Sequence, residues 1–277
     1  MNKPTDRRSR PQIVLEVLRR EQVSPHMVRL RLGGDGFAGF EDNGFTDKYV
    51  KLTFVKAGLG LEAPYDIPAL RESLPPEDRP VTRTYTVREV NPHERWISID
   101  FVVHGDDGIA GPWAARVQPG EKISFGGPGG GFAPDPDADW YLFTGDESAL
   151  PAISAALEAL PTDSVGDALL EVSGPADEID LAAPEGVRIQ WLHRGDAVAG
   201  TSSVLPDAVA NHPWRPGRVQ VFAHGERGAV KAQRDTLFKV HGLDRAQVSI
   251  SGYWAQGRTE DRFQAEKREP IGQIFEP

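Results

Sequence analysis

The run Arg83-Thr84-Tyr85-Thr86-Val87-Arg88 alternates like a half-buried β-strand. Side chains on a strand repeat every two residues, so Tyr85 and Val87 share one face while Thr84, Thr86 and Arg88 share the other. A flat aromatic ring, a fixed cation and small hydroxyls therefore stand within a few residues of one another. A flavin requires such a set: a ring to lie on, a guanidinium for its pyrophosphate and a hydrogen-bond donor near its reactive ring nitrogen. Isolated Arg-x-Tyr-Thr tetrapeptides also arise by chance, so the surrounding chain has to decide.

The same alternation continues on both sides. Residues 12–18 form an apolar-rich strand and 27–32 alternate cleanly, which suits a hairpin around Ser24-Pro25. A third strand is expected at 49–55, followed by the proline- and glycine-rich excursion 56–80, which cannot sit inside a sheet. After the strand 83–90, Asn91-Pro92-His93-Glu94 turns the chain into 95–104, where Ile97, Ile99, Phe101 and Val103 share a face. Residues 121–125 supply a sixth strand. Six short strands at such spacing predict a small closed antiparallel barrel.

Small residues dominate His104-Gly105-Asp106-Asp107-Gly108-Ile109-Ala110-Gly111-Pro112-Trp113-Ala114. They let a backbone approach a ligand closely, and a helical turn from Pro112 would aim free N–H groups at an anion such as a pyrophosphate. A plain crossover between barrel strands would look the same without the Arg83 run. Gly126 to Gly131 is glycine-dense but does not lie between a strand and a helix, so it is read as the turn out of the barrel.

Beyond the linker Pro134-Asp135-Pro136-Asp137 the pattern changes. Apolar strands at 139–144, 168–172, 187–192, 219–223 and 248–251 alternate with helical segments at 147–160, 202–211 and 227–241. Such alternation marks a parallel sheet with helices on its faces, whose ligands collect at the carboxyl ends of the strands. Three strand ends carry chemistry. Thr144-Gly145-Asp146-Glu147-Ser148-Ala149 opens a helix, where Asp146 or Ser148 also suits plain capping. Arg194 lies in a turn where a nucleotide phosphate or only solvent can meet it. His224-Gly225-Glu226 offers room for a flat ring and an acid for a carboxamide. No G-x-G-x-x-G is present.

Composition sets the outer bounds. The 277 residues suffice for two domains, and 39% hydrophobic with 26% charged residues is ordinary for a globular protein. With no cysteine, disulfides, thiolate nucleophiles, iron–sulfur clusters and zinc–thiolate sites are excluded, and no resident metal is expected. No apolar run approaches the ~20 residues that span a bilayer. The basic start, residues 1–11, has no apolar core for a signal peptide and reads as a frayed tail of a cytoplasmic protein. A net charge of −10 argues against nucleic acid as a partner.

In order, these blocks resemble the ferredoxin-reductase superfamily, and within it the siderophore-interacting proteins, FAD-containing ferric-siderophore reductases. The resemblance spans residues 12–270 and rests on Arg83-Thr84-Tyr85-Thr86, Asp100-Phe101-Val102-Val103-His104-Gly105, Gly111-Pro112-Trp113-Ala114, Gly145-Asp146-Glu147-Ser148-Ala149-Leu150-Pro151 and Gly252-Tyr253-Trp254 with Gly257-Arg258-Thr259-Glu260. It implies an FAD-binding barrel over 12–136, an NAD(P)H-binding α/β domain over 137–257 and a helical tail over 258–277 beside the active-site mouth. Tyr85 would carry the isoalloxazine, Arg83 the pyrophosphate, and Thr86 a hydrogen bond near N5; Tyr85 and Thr86 are thus the expected catalytic pair. Val87, Asp100, Phe101, Val102, His104, Ala110 and the backbone of Gly111 to Ala114, with Pro112 and Trp113 between, would complete the FAD site. Thr144, Asp146, Glu147, Ser148, Ala149, His224 and Glu226 would face NADH or NADPH, and Trp254 would lie against the nicotinamide face, shield the flavin or tie down the tail.

The implied activity is reduction of a cytoplasmic ferric siderophore one electron at a time, by a monomer, with NAD(P)H or a ferredoxin as donor. A siderophore-binding flavoprotein without nicotinamide activity and a general flavin reductase are the alternatives. Lys51, Lys231 and Arg258 are the candidate siderophore contacts. Gly129 and Ala255-Gln256 stand where relatives commonly carry basic residues, which predicts a neutral or less charged chelate over a strongly anionic catecholate.

Overall fold

In the computed structural model, which describes residues 12–106 and 108–275, the alternating segments close into a barrel. The predicted basic tail 1–11, together with Asp107 and residues 276 and 277, lies outside the described residues. The strands are β1 (Ile13–Ser24), β2 (Met27–Gly33), β3 (Tyr49–Phe54), β4 (Val81–Asn91), β5 (Trp96–Val102) and β6 (Lys122–Gly129), closed in the order β1-β2-β5-β4-β3-β6. Every pairing is antiparallel. Alternate residues point inward, so Leu15, Val17, Leu30, Leu52, Val87, Ile99, Phe101 and Phe125 fill the interior.

The excursion between β3 and β4 holds a short helix, α1 (Ile67–Ser73), capped by the Asp66 side chain, which accepts from Ala69 N. A second helix, α2 (Ala110–Arg116), plugs the barrel. Its Ala110 and Ala114 are buried, and Trp113 packs edge-on against Phe54 and Phe101 at 5.4 and 5.8 Å. One expectation is corrected here: Gly126 to Gly129 do not turn the chain but prolong β6, with Gly129 paired to Tyr49. The chain leaves at Gly130, whose φ of +155° favours glycine.

A parallel sheet follows, built from β7 (Trp140–Gly145), β8 (Val165–Val172), β9 (Gly186–His193), β10 (Val219–Glu226) and β11 (Val248–Trp254) in the order β11-β10-β7-β8-β9. The helices are α3 (Leu150–Glu158), α4 (Val204–Ala210) and α5 (Arg227–Asp235), the last prolonged by a π-helical turn over Thr236–Val240. Burial on both faces explains why β7 reads as an unbroken apolar run rather than an alternating one. The order reverses between β7 and β10, so a crevice opens at their carboxyl ends.

The two lobes are fused along a continuous seam. Met27 and Val102 of the barrel pack into the sheet's core beside Phe132 and Phe143. Ser24 Oγ, His26 N and His26 Nδ1 all reach the Asp177 carboxylate, at 3.0, 3.1 and 2.9 Å. On the other side Arg88 of β4 forks onto Glu158 of α3.

The last α-helix among the described residues, α6 (Glu260–Glu266), ties the lobes together. Phe263 is buried, and the Glu266 carboxylate accepts from Arg227, Arg258 and Arg262 at 2.7, 2.8 and 2.8 Å. Asp261 on its outer side forks with Arg83 of the barrel, both bonds 3.1 Å.

Candidate functional site

A cavity of about 760 Å³ lies where β4 and β5 of the barrel meet the carboxyl ends of β7 and β11, with α6 as its outer wall. That volume lies within the range of small-molecule and cofactor clefts. β4 contributes Thr84, Tyr85 and Thr86, and β5 with its continuation contributes Asp100, Val102 and His104. The sheet lobe brings Asp146, Glu147 and Ser148 after β7, and Tyr253 and Trp254 at the end of β11. Six of these positions come from the barrel and five from the sheet lobe, so the cavity exists only because the seam does.

Tyr85 leans on Phe101, with ring centroids 4.4 Å apart, and this contact fixes the plane of the phenol. Burial, with the charge of Glu260 beside it, pushes the phenol pKa up, so its hydroxyl stays protonated. Across the cavity Tyr253 is buried likewise, and its hydroxyl meets the Thr86 side chain. Trp254 is held by its indole N–H, which donates to Asp146 Oδ2 at 2.8 Å. The same oxygen accepts from Glu226 N at 2.7 Å, while Asp146 Oδ1 accepts from Ser148 N and Oγ at 2.9 and 2.5 Å. Gly225 makes this possible: its φ is +144°, and a Cβ there would sit 2.8 Å from Asp146 Oδ2.

Burial, together with nearby His26 and Arg194, lowers the pKa of His104, which is therefore a neutral ring near pH 7. Asp100 is held by Arg29 in a fork of 2.6 and 2.7 Å.

Several sequence-predicted residues lie elsewhere. Arg83 is spent on Asp261 and does not line the cavity. Val87 and Phe101 point into the barrel core, Ala110, Trp113 and Ala114 pack against that same core, and Gly111 and Pro112 are buried. Thr144 and Ala149 are fully buried, Thr144 bonded to Gln233. His224 stacks on Phe222 at 3.8 Å, its Nε2 meets Ser249 Oγ at 2.9 Å, and burial pulls its pKa down to about 3. Glu226 caps α5 through Ala229 N and accepts from Gln256 N, so both its oxygens are used. Lys231 donates to the Ile271 carbonyl and Arg258 to Glu266.

Arg194 is 5% exposed and sits on Glu147 at 2.6 Å, with Glu171 at 3.9 Å. It faces carboxylates rather than solvent or a phosphate. Burial pushes the Glu171 pKa up to about 7 against the pull of Arg194, with Asp146 and Glu147 adding to the rise. Between the ordinary glutamate range and about pH 7 the folded chain holds a proton that the unfolded chain releases, so this group makes stability fall as pH rises through that window. Glu171→Gln is expected to flatten that decline relative to wild type in urea melts between pH 5 and 8; parallel curves would contradict the assignment.

The cavity also carries residues to which sequence reading gave no site role: Tyr49 on β3, Tyr253, Gln256, and the α6 face made by Glu260, Gln264 and Lys267. The resemblance implied a tail helix beside the mouth, and the spacing of 260, 264 and 267 puts these three residues on one face of it.

The donors fit FAD. Tyr85 supplies a fixed aromatic plane, Thr84 and Thr86 hydroxyls edge it, His104 is a neutral ring, and Tyr253 and Trp254 close the opposite wall. The present partner of Arg83 is an exposed carboxylate, the kind of partner that a phosphate can replace.

The comparisons agree with this geometry. Residues 16–132 match the siderophore-interacting FAD-binding domain, and residues 138–257 match the siderophore-interacting protein domain. The chain is 47% identical to the uncharacterized protein Rv2895c of Mycobacterium tuberculosis, covering 94% of this chain and 96% of that protein. It is 34% identical to the ferric vibriobactin reductase ViuB of Vibrio cholerae, covering 95% and 96%. It is 31% identical to the NADPH-dependent ferric-chelate reductase of Escherichia coli, covering 87% and 91%. A siderophore utilization protein from T. fusca superposes with a TM-score of 0.78 at 38% identity, covering 90% of this chain and 94% of that one. The chain belongs to the siderophore-interacting protein family, with the barrel as its FAD-binding domain.

Proposed function

We propose that the chain is an FAD-dependent reductase of ferric siderophores, working in the cytoplasm with NAD(P)H as electron source. The observation that carries this reading is the cavity at the seam, with Tyr85 and Thr86 on one wall and Tyr253 and Trp254 on the other. When bound, FAD accepts a two-electron hydride and returns electrons singly, which matches a nicotinamide to ferric iron. One NAD(P)H thus serves two ferric ions and releases a proton.

The protein's own part is positioning. Tyr85 presents a plane held by Phe101, Thr86 offers a hydroxyl at its edge, and the aromatic wall at the end of β11 keeps water away. No acid, base or nucleophile is needed for the electron step. Hard oxygen ligands hold ferric iron better than ferrous iron, so reduction loosens the complex.

One observation favours a second donor. The crevice between β7 and β10 is lined by Asp146, Glu147 and Glu226, all buried, with the nearby Arg194 already paired. Such a crevice is a poor seat for a dinucleotide pyrophosphate and leaves a ferredoxin as the alternative source. An anaerobic assay with a ferrous trap separates these. NADH or NADPH is expected to bleach the bound flavin, and added ferric siderophore to restore it with trapped ferrous ion. Bleaching by reduced ferredoxin alone would favour the second donor, and no ferrous ion with any donor would overturn the reductase reading.

A further inference from the structure

Arg29 stands behind the cavity wall rather than in its lining. On β2 it pairs directly across from Asp100 on β5, and the alternation that sends Val28, Leu30, Ile99 and Phe101 into the barrel core turns both charged side chains outward. Arg29 Nε and Nη2 donate to Asp100 Oδ1 and Oδ2 at 2.6 and 2.7 Å, a fork that fixes the plane of the carboxylate. The Asp100 side chain is 1% exposed, whereas that of Arg29 is 28% exposed. Hydrogen bonding to Asp100 raises the Arg29 pKa against the opposing effect of burial, and the charges of Asp100, Glu21 and Glu89 add to the rise. The guanidinium therefore stays charged at any working pH.

Among the described residues, Asp100 is the one acid that the barrel contributes to the cavity lining. Val87 of β4 pairs with Ile99 of β5, so the next positions, Thr86 and Asp100, are neighbours on the cavity side of the two strands. Thr86 is the hydroxyl assigned to the edge of the flavin plane. The acids of the sheet lobe are held in other ways. Glu147 meets Arg194 at 2.6 Å, and Asp146 accepts from uncharged donors of Trp254, Glu226 and Ser148. Lys51 also lines the cavity, from β3, but the cation fixed to Asp100 is Arg29.

We propose that Arg29 is a positioning residue for the electron step: by forking onto Asp100 it cancels the acid beside the flavin and holds the reduction potential of bound FAD above the value that a bare carboxylate would impose. The inference rests on the reductase reading for the presence of FAD in the cavity. A hydride brings a negative charge with its two electrons, and a carboxylate in a low-dielectric wall opposes that charge far more strongly than one in water. With the guanidinium attached, this part of the wall is neutral yet still polar, because each carboxylate oxygen keeps a lone pair free to accept. Arg29 belongs to no motif of the sequence; the register of β2 on β5 brings it to Asp100.

The test compares the dissociation constants of oxidised FAD and of chemically reduced FAD, each titrated under argon at pH 8 and followed by quenching of intrinsic fluorescence. By linkage, the ratio of the two constants measures how far the protein shifts the potential of the cofactor, even where binding is weak. Arg29→Met is expected to weaken reduced FAD about tenfold more than oxidised FAD, a fall of about 30 mV for a two-electron couple. Arg29→Lys, which keeps the charge and loses the fork, is expected to hold the ratio within about threefold of wild type. Asp100→Asn added to Arg29→Met is expected to return the ratio to within about threefold of wild type, because the charge that Arg29 cancels is then gone. An equal loss of both forms in Arg29→Met, the mark of a merely structural role, overturns the proposal. A ratio that stays low in the double variant overturns it too, since Asp100 is then not the route. An unchanged ratio in a chain that binds both forms brings down this proposal alone, whereas a wild-type chain that binds neither form brings down the reductase reading and this proposal with it.

Discussion

Tyr85→Ala is expected to yield a folded protein that has lost most of its FAD. The ring is the one aromatic plane that β4 presents to the cavity, and its tilt is set by Phe101 behind it. Burying an aromatic side chain against a ligand contributes ~1.5–3 kcal/mol from area, and ring stacking adds ~0.5–1.5 kcal/mol. Their loss amounts to about two orders of magnitude in FAD affinity, at ~1.4 kcal/mol per tenfold. Tyr85→Phe keeps the plane and is expected to keep the cofactor, because burial holds the phenol protonated and only one donor is lost. Flavin absorbance after gel filtration, together with equilibrium titration of added FAD, measures both. Equal retention by Tyr85→Ala and wild type would remove the ring from the site.

The second large effect lies at the other end of the chain. Glu266→Gln is expected to release α6 while leaving the barrel and the sheet intact. The carboxylate is buried and accepts from three guanidinium groups, of Arg227, Arg258 and Arg262. Their hydrogen bonds, led by that of Arg227, pull its pKa down to about 2. The sign follows from linkage: a depressed carboxyl stabilises the fold above its unfolded pKa, and that contribution is lost as pH falls through about 2. A neutral amide mimics the acid form at neutral pH and leaves three cations short of a partner. Amide exchange over residues 260–266 is expected to quicken by at least about tenfold, with β4 and β10 unchanged. Since Glu260, Gln264 and Lys267 wall the cavity, FAD is expected to leave faster as well. Unaltered exchange in α6 would show that the three arginines do not anchor it.

The sequence spoke clearly where structure is local. Period-two alternation at 27–32 and 95–104 announced a barrel because one face of each strand packs inside it, and the strand–helix alternation after Asp139 announced the parallel sheet. Tyr85, Thr86, His104, Asp146 and Trp254 each stand in a short motif of the sequence, and all five line one cavity. What stayed hidden depends on contacts between distant segments. Nothing near Arg83 announces Asp261, which lies 178 residues away. Arg194 looked open to solvent until β8 and the loop after β7 brought Glu171 and Glu147 to it. Glu226 looked free for a ligand, but as the last residue of β10 it caps the helix that follows. Gly126 to Gly129 read as a turn because glycine signals turns most often, whereas here Gly129 makes room for the Tyr49 ring. Lys267 carries no motif at all, and only the docking of α6 brings it to the cavity that Lys51 also lines.

The FAD content of the purified chain tests the central claim most directly. The account predicts a yellow protein that retains stoichiometric FAD through a desalting column, or takes it up to that level when FAD is added. A colourless protein that binds no added FAD, with its fold intact by circular dichroism, would contradict it.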